Sequence, residues 1–237
     1  MRATTSLAPE TIVDLAMTTP RDLNAALHAR DVASTNPSWR VLNPQGRHAL
    51  ACGIDAEIDV TIDGHVGYYC AGMHQRGRVR VDGNAGVGVA ENMMSGRVVV
   101  TGDASQSAGA SGHGGLLVID GNASARCGIS MKGIDIVVGG NVGHMSAFMA
   151  QAGNLVVLGD AGDALGDSIY EARLFVRGSV ASLGSDCIEK PMGEAHRASL
   201  RELLARAGLA DVDAASFRRY GSARQLYHFH VANAGAY

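Results

Sequence analysis

The sequence predicts an all-β chain, folded as a right-handed, single-stranded parallel β-helix of about seven 19-residue coils with short α-helical flanks. Three observations lead there. Glycines recur at Gly64, Gly83, Gly102, Gly121, Gly140, Gly159 and Gly178, on one register without insertion or deletion. Two and four residues before each glycine only aliphatic side chains stand, from Val60 and Ile62 through Val79 and Val81 to Leu174 and Val176. That spacing of two is the alternation of a strand with one buried face. After the glycine comes a turn-former in most copies (Asn84, Asp103, Asn122, Asn141, Asp160), with His65 and Ser179 as exceptions. A small apolar residue follows, and then a smaller one, as in Ala85-Gly86 and Ala104-Ser105.

A unit with one strand and tight bends cannot bury its apolar face alone, but stacked copies can, through strands paired in parallel. Hexapeptide and nonapeptide coils favour about eighteen residues per turn. Nineteen is a multiple of neither six nor nine, so a right-handed coil follows by elimination and from the chirality of parallel crossovers. The glycines are assigned to crowded bends and close stacking. Asn and Asp tolerate left-handed backbone angles and hydrogen-bond locally, so the sharp bend is expected at their column.

The β-helix is placed at residues 45–190, between an N-terminal flank (1–44) and a C-terminal helix and tail (191–237). In the first flank Thr19 is a capping residue, Pro20 suits the first helical position and Asp22 the first turn. A short helix to about Arg30 is expected. SWRVLNP (38–44) and HALACGI (48–54) read as strands that start the stack. Downstream, 191–207 reads as an amphipathic helix with Leu200, Leu203 and Leu204 on one face, ended by Gly208. The tail contains YHFHV, read as a short strand. Because open β-helix ends expose unpaired strand edges, the flanks are expected to cap them.

Composition narrows the function classes. The chain has 31 glycines, 5 prolines and only 5% aromatic residues, which fits frequent turns around a narrow interior. A net charge of −3 without a lysine or arginine run argues against nucleic-acid binding. No apolar run approaches the roughly 18 residues of a membrane span. The acidic N-terminal region, with Glu10 and Asp14, does not read as a signal peptide. Four cysteines without a CxxC pair suit a reducing, cytoplasmic compartment.

Each chemical motif has a structural alternative that suits it better. VDGNAGVGVA (81–90) resembles a phosphate-cradling turn, yet its glycines occupy columns repeated along the chain, no helix pattern follows, and the spacing misses G-x-G-x-x-G. His65, His74, His113 and His144 sit in different columns and do not converge on one ion. His228 and His230, at strand spacing around Phe229, could share a face and hold a metal, but an ordinary surface or interface pair fits them better. Cys70 and Cys127 share a column three coils apart, about 14 Å by strand spacing, too far for a disulfide. They read as small core residues. Asp163, Asp167 and Glu171 read as solvated turn residues. No catalytic, cofactor-binding or metal-binding residue is therefore expected on this chain.

The bends Gly83-Asn84-Ala85-Gly86-Val87-Gly88, Gly140-Asn141-Val142-Gly143 and Gly159-Asp160-Ala161-Gly162 resemble the GXGXG domain at the C-terminus of the glutamate synthase large subunit. The same domain occurs in the C subunit of formylmethanofuran dehydrogenase. The flanking LAMTTPRDLNAALH (15–28) and FRRYGSARQLYHFHV (217–231) are similar to the stand-alone GXGXG subunit of N-methylglutamate synthase (methylamine–glutamate N-methyltransferase). Ser105 and Ser124 depart from the glycine pattern but stay small. The resemblance implies a structural subunit of a transferase complex. It implies a class II glutamine amidotransferase-like subunit and an FMN-binding subunit as partners, with FMN, and an iron–sulfur cluster as a further option, held by a partner. The alternative it leaves open is the C subunit of a formylmethanofuran dehydrogenase or formyltransferase/hydrolase-type complex.

Overall fold

A computed structural model describes residues 10–226. The YHFHV segment, with its His228 and His230, lies outside the described residues.

The chain opens with β1 (Thr11–Asp14), α1 (Pro20–Leu27), the single turn α2 (Val32–Thr35) and β2 (Ser38–Leu42). The repeat then delivers β3 (Asp59–Ile62), β4 (Arg78–Val81), β5 (Arg97–Val100), β6 (Leu116–Ile119), β7 (Lys132–Val138), β8 (Ala152–Val157) and β9 (Arg173–Val176). Then come β10 (Cys187–Lys190), α3 (Glu194–Ala207), a 3-10 turn (Ala214–Ser216) and β11 (Arg218–Ser222). The strands form one sheet in the order β1-β2-β3-β4-β5-β6-β7-β8-β9-β11-β10. Pairing is parallel from β1 to β9, with each repeat in register at nineteen residues: Val60, Val79, Val98, Leu117, Ile136, Leu155 and Leu174 lie side by side. The all-β parallel solenoid that the glycine and aliphatic columns predict is the fold observed.

Each coil has three sides. The strand is the first, and its inward aliphatics are fully buried. The second is a column of single parallel bridges through Val66, Ala85, Ala104, Ala123, Val142, Ala161 and Val180. On the third, every second residue is left-handed: Gly88 (φ 72), Ala90 (φ 55) and Asn92 (φ 55) in one coil, Ser107, Gly109 and Ser111 in the next. Their amides bond alternately forward and back, from Gly88 to the Gln106 carbonyl, Ala90 to Cys70 and Asn92 to Ala110. This side corrects the expectation for HALACGI, which is turn and not strand. Ala49, Ala51 and Gly53 are left-handed (φ 55, 53 and 66), and their period of two comes from alternating backbone hand.

The bend columns also work differently from the expectation. Of the seven anchor glycines only Gly64 has a positive φ, 126. At the others a Cβ would collide with the coil below, as at Gly83, 2.6 Å from the Gly64 carbonyl carbon, or Gly159, 2.7 Å from that of Gly140. The next column does not bond locally. Asn84 Oδ1 accepts the Asp103 amide at 2.9 Å, Asp103 that of Asn122 at 2.7 Å, and Asn122 that of Asn141 at 2.9 Å. Asn141 and Asp160 continue the ladder to Ser179, each at 2.7 Å. A short side chain with a carbonyl-type oxygen reaches one coil upward, which is why Asn and Asp fill this column.

The flanks divide their work. At the N-terminal end α1 starts from Thr19, whose hydroxyl accepts the Asp22 amide, and buries Leu23 and Leu27 in the main core. It ends at Leu27, short of the expected Arg30. Asn24 Nδ2 donates to the Ala49 carbonyl and His28 Nε2 to that of Cys52, both at 2.7 Å. The matching carbonyls of later coils, Gly72, Glu91 and Ala110, accept an amide from the coil below. The first coil has none below it, and His28 supplies the missing donor. At the other end β11 pairs antiparallel with β9 and with β10. Helix α3 is not an end cap. Its Leu200, Leu203 and Leu204 cover the outer face of the sheet, over Val99, Val118, Val137, Val156 and Phe175, in a second buried cluster.

Candidate functional site

The polar groups that sequence chemistry singles out are distributed through this frame. His65 Nδ1 accepts the Asn84 amide at 2.9 Å and begins the bend ladder. His74 is fully buried, with Nε2 3.2 Å from the Gly77 carbonyl, and its Nδ1 has no partner. Burial pushes its pKa below the ordinary imidazole value, against the Gly77 bond and the Glu57 charge that favour the cation. His113 and His144 are exposed on separate coils. Among the described residues no group of three metal-ligating side chains converges.

The cysteines are free thiols. Cys70, Cys127 and Cys187 are buried, and Cys52 is half-buried with its Sγ 2.8 Å from the Tyr69 carbonyl. Burial raises every thiol pKa, that of Cys52 to about 11 and those of Cys127 and Cys187 to about 12. A thiol so raised holds almost no thiolate near neutrality, and thiolate is the nucleophile. The acids that read as solvated turn residues bind neighbouring backbone and side chains instead. Asp167 accepts from the Ser168 hydroxyl and the Ser185 amide, Asp163 from the Ser182 hydroxyl, and Glu171 pairs with Arg224 at 2.9 Å. Asp186 takes the Ser222 hydroxyl at 2.5 Å and the Gln225 amide at 2.9 Å, which fixes the chain leaving β11.

The anchor glycines Gly64, Gly83, Gly102, Gly121, Gly140, Gly159 and Gly178 line one corner of the stack, and VDGNAGVGVA forms such a corner followed by the left-handed side. Its amides are spent on neighbouring coils: Ala85 donates to Asp103, Gly86 to Val66 and Gly88 to Gln106. A phosphate cradle needs amides directed at the ligand, and these are directed along the stack.

Two features escaped sequence reasoning. The outward strand column changes from Thr61 and Arg80 to Val99, Val118, Val137, Val156 and Phe175, a visible sign that something covers coils three to seven. Cationic side chains also gather where β9, β10, β11 and the start of α3 meet, in a cavity lined by Arg173, Lys190, His196, Arg219 and Arg224. These residues are scattered over fifty positions of sequence, so no local motif announces them. No helix among the described residues is long and apolar enough to cross a membrane.

No family model matches the chain. It is 63% identical over 226 residues to Protein GlxC of Rhizobium meliloti (strain 1021), an alignment that covers 95% of this chain and 99% of that protein. A match of that identity and extent spans the coil repeat and most of both flanks, and this chain belongs to the GlxC family.

Proposed function

We propose that this chain is the structural subunit of a glutamate-synthase-like flavoenzyme complex of the N-methylglutamate synthase type. Such a complex converts methylamine and glutamate to N-methylglutamate and ammonia. The chain braces a class II amidotransferase-like subunit against an FMN-binding subunit in the cytoplasm, and the cofactors sit on the partners. The observation that carries this reading is the repeat itself. The G-[ND]-[AV]-[GS] corners that resemble the GXGXG domain are stacking corners, in one sheet of eleven strands with ten steps of about 4.8 Å between them. A rod roughly 45–50 Å long, cross-linked coil to coil by backbone bonds and the Asn/Asp ladder, holds two bodies at a fixed separation. The 63% identity to Protein GlxC is compatible with a glutamate-synthase-like subunit.

Affinity purification of the tagged chain from its native host tests the reading. The expected eluate contains an FMN-bearing chain and a class II amidotransferase homologue. Recovery with formyl-transferring chains instead would move the assignment to a formylmethanofuran dehydrogenase type of complex.

A further inference from the structure

The cavity at the C-terminal end of the stack has a volume of about 290 Å³. Arg173 enters it from β9, Lys190 from β10, Arg219 from β11, Arg224 from the segment after β11, and His196 from the first turn of α3. Among its lining residues Glu171 is the one carboxylate, and it is paired with Arg224 at 2.9 Å. Arg219 is anchored by a 3.1 Å bond from Nε to the Pro191 carbonyl, a neutral acceptor that leaves its charge uncompensated. The Arg173 side chain makes no hydrogen bond or ion pair among the described residues.

This crowding has an electrostatic signature. The Arg219 guanidinium is pushed down from its ordinary pKa by burial and then by the charge of Arg173. His196, whose Nδ1 accepts the Gly193 amide at 3.2 Å, is pushed down by burial, then by Arg219 and Arg173, which disfavour the cation. Like charges gathered in a half-enclosed space repel unless an anion sits among them. The charges collect here although the whole chain carries a net −3. Guanidinium groups present paired N–H donors in a planar fork that matches the two oxygens of a carboxylate or phosphate. At about 30 Å³ per water the cavity holds roughly ten water volumes, room for a four- or five-carbon diacid or a phosphate group with a small substituent.

We propose that this cavity is a binding site for a small oxyanion with two negative charges, a dicarboxylate or a phosphate, gripped by Arg173 and Arg219 and completed by Lys190 and His196. The site goes beyond a bracing role and needs no partner chain, so it is tested on this chain alone and its outcome is independent of the assembly. Isothermal titration calorimetry of the full chain with succinate and, separately, inorganic phosphate is the direct experiment, with methylammonium chloride as the cationic control. The expected result is saturable one-site binding of at least one anion, at roughly millimolar Kd or tighter, weakened by added salt. The anion that binds decides between dicarboxylate and phosphate. Arg173→Gln is expected to weaken it roughly tenfold or more. Arg219→Gln is expected to do the same, but Arg219 also ties down Pro191, so Arg173→Gln, which breaks no internal bond, is the decisive variant. A second readout is the His196 imidazole pKa followed by NMR. Saturation with the anion should raise it, because the bound charge offsets Arg219 and Arg173. Absence of saturable binding of both anions at about 10 mM, or unchanged affinity in Arg173→Gln, would overturn the proposal.

Discussion

At the scale of the residue, this fold depends on what is small, what is left-handed and what is buried neutral. A Cβ at Gly140 would sit 2.4 Å from Asn122 Oδ1 and 2.9 Å from the Gly121 carbonyl oxygen. Gly140→Val is therefore expected to cost about 3 kcal/mol or more by overpacking, seen as a lower midpoint in urea. Gly46 is the contrast. It has φ +70 and nothing within 4 Å, so Gly46→Ala should cost only the left-handed backbone term, about 1 kcal/mol. His74 ties stability to pH. Its folded pKa lies below the unfolded value near 6.5, so the unfolded chain binds the extra proton first. The stability from the neutral ring is complete above about pH 6.5 and is lost as pH falls below it. Melting curves should show wild type losing stability as pH falls below about 6.5, and His74→Gln losing less. The thiols give a third check. With Cys127 and Cys187 raised to about 12 and Cys52 to about 11, a thiol-specific disulfide reagent at about pH 8 should label the native chain slowly and all four cysteines in guanidinium.

At the scale of the element, the two helices of the flanks play different parts. Helix α3 closes the second core, and Leu204 is 1% exposed within it. Leu204→Ala should cost about 2–4 kcal/mol, and a charged residue at Leu200 should expose the valine face and drive self-association seen by light scattering. Helix α1 closes the open end of the stack through His28. His28→Leu leaves the exposed Cys52 carbonyl without its side-chain donor, at a cost of about 0.5–1.5 kcal/mol, and hydrogen exchange should quicken in the first coil before the later ones. The strands were readable in advance because a period of two inside a period of nineteen allows one register. The Thr19-Pro20-Arg21-Asp22 start and the Gly208 stop were readable for a similar reason, since caps are local chemistry. The left-handed side was not readable. Its first column holds Tyr69, Gly88, Ser107, Arg126, Met145 and Ala164, which share no residue type. Inter-coil bonds such as Ser107 to Ala125 hold the non-glycine residues of this column in a left-handed conformation that they rarely adopt in isolation. The position of α3 was present in the outward valine column, but it is legible only once inward and outward faces are separated.

At the scale of the whole molecule, the regularity of the stack sets its use. Backbone bonds, bend ladder and inward aliphatics all repeat from coil to coil, so the molecule resists bending and presents long, fixed faces. Several of the polar groups that tempt a catalytic reading are engaged with neighbouring coils, as His65 is with Asn84 and Asp163 with Ser182. The cationic cavity at the C-terminal end is a different case, assembled from three strands and a helix that meet only in the folded chain. Its residues lie far apart in sequence, which is why the repeat could be read from one column of glycines while this cluster could not. Whether the rod braces other chains is decided by purifying the tagged chain from its native host. The expected product is a stable hetero-oligomer in which this chain elutes with an FMN-bearing chain and a class II amidotransferase homologue. A lone, monodisperse monomer that turns over substrate by itself would contradict it.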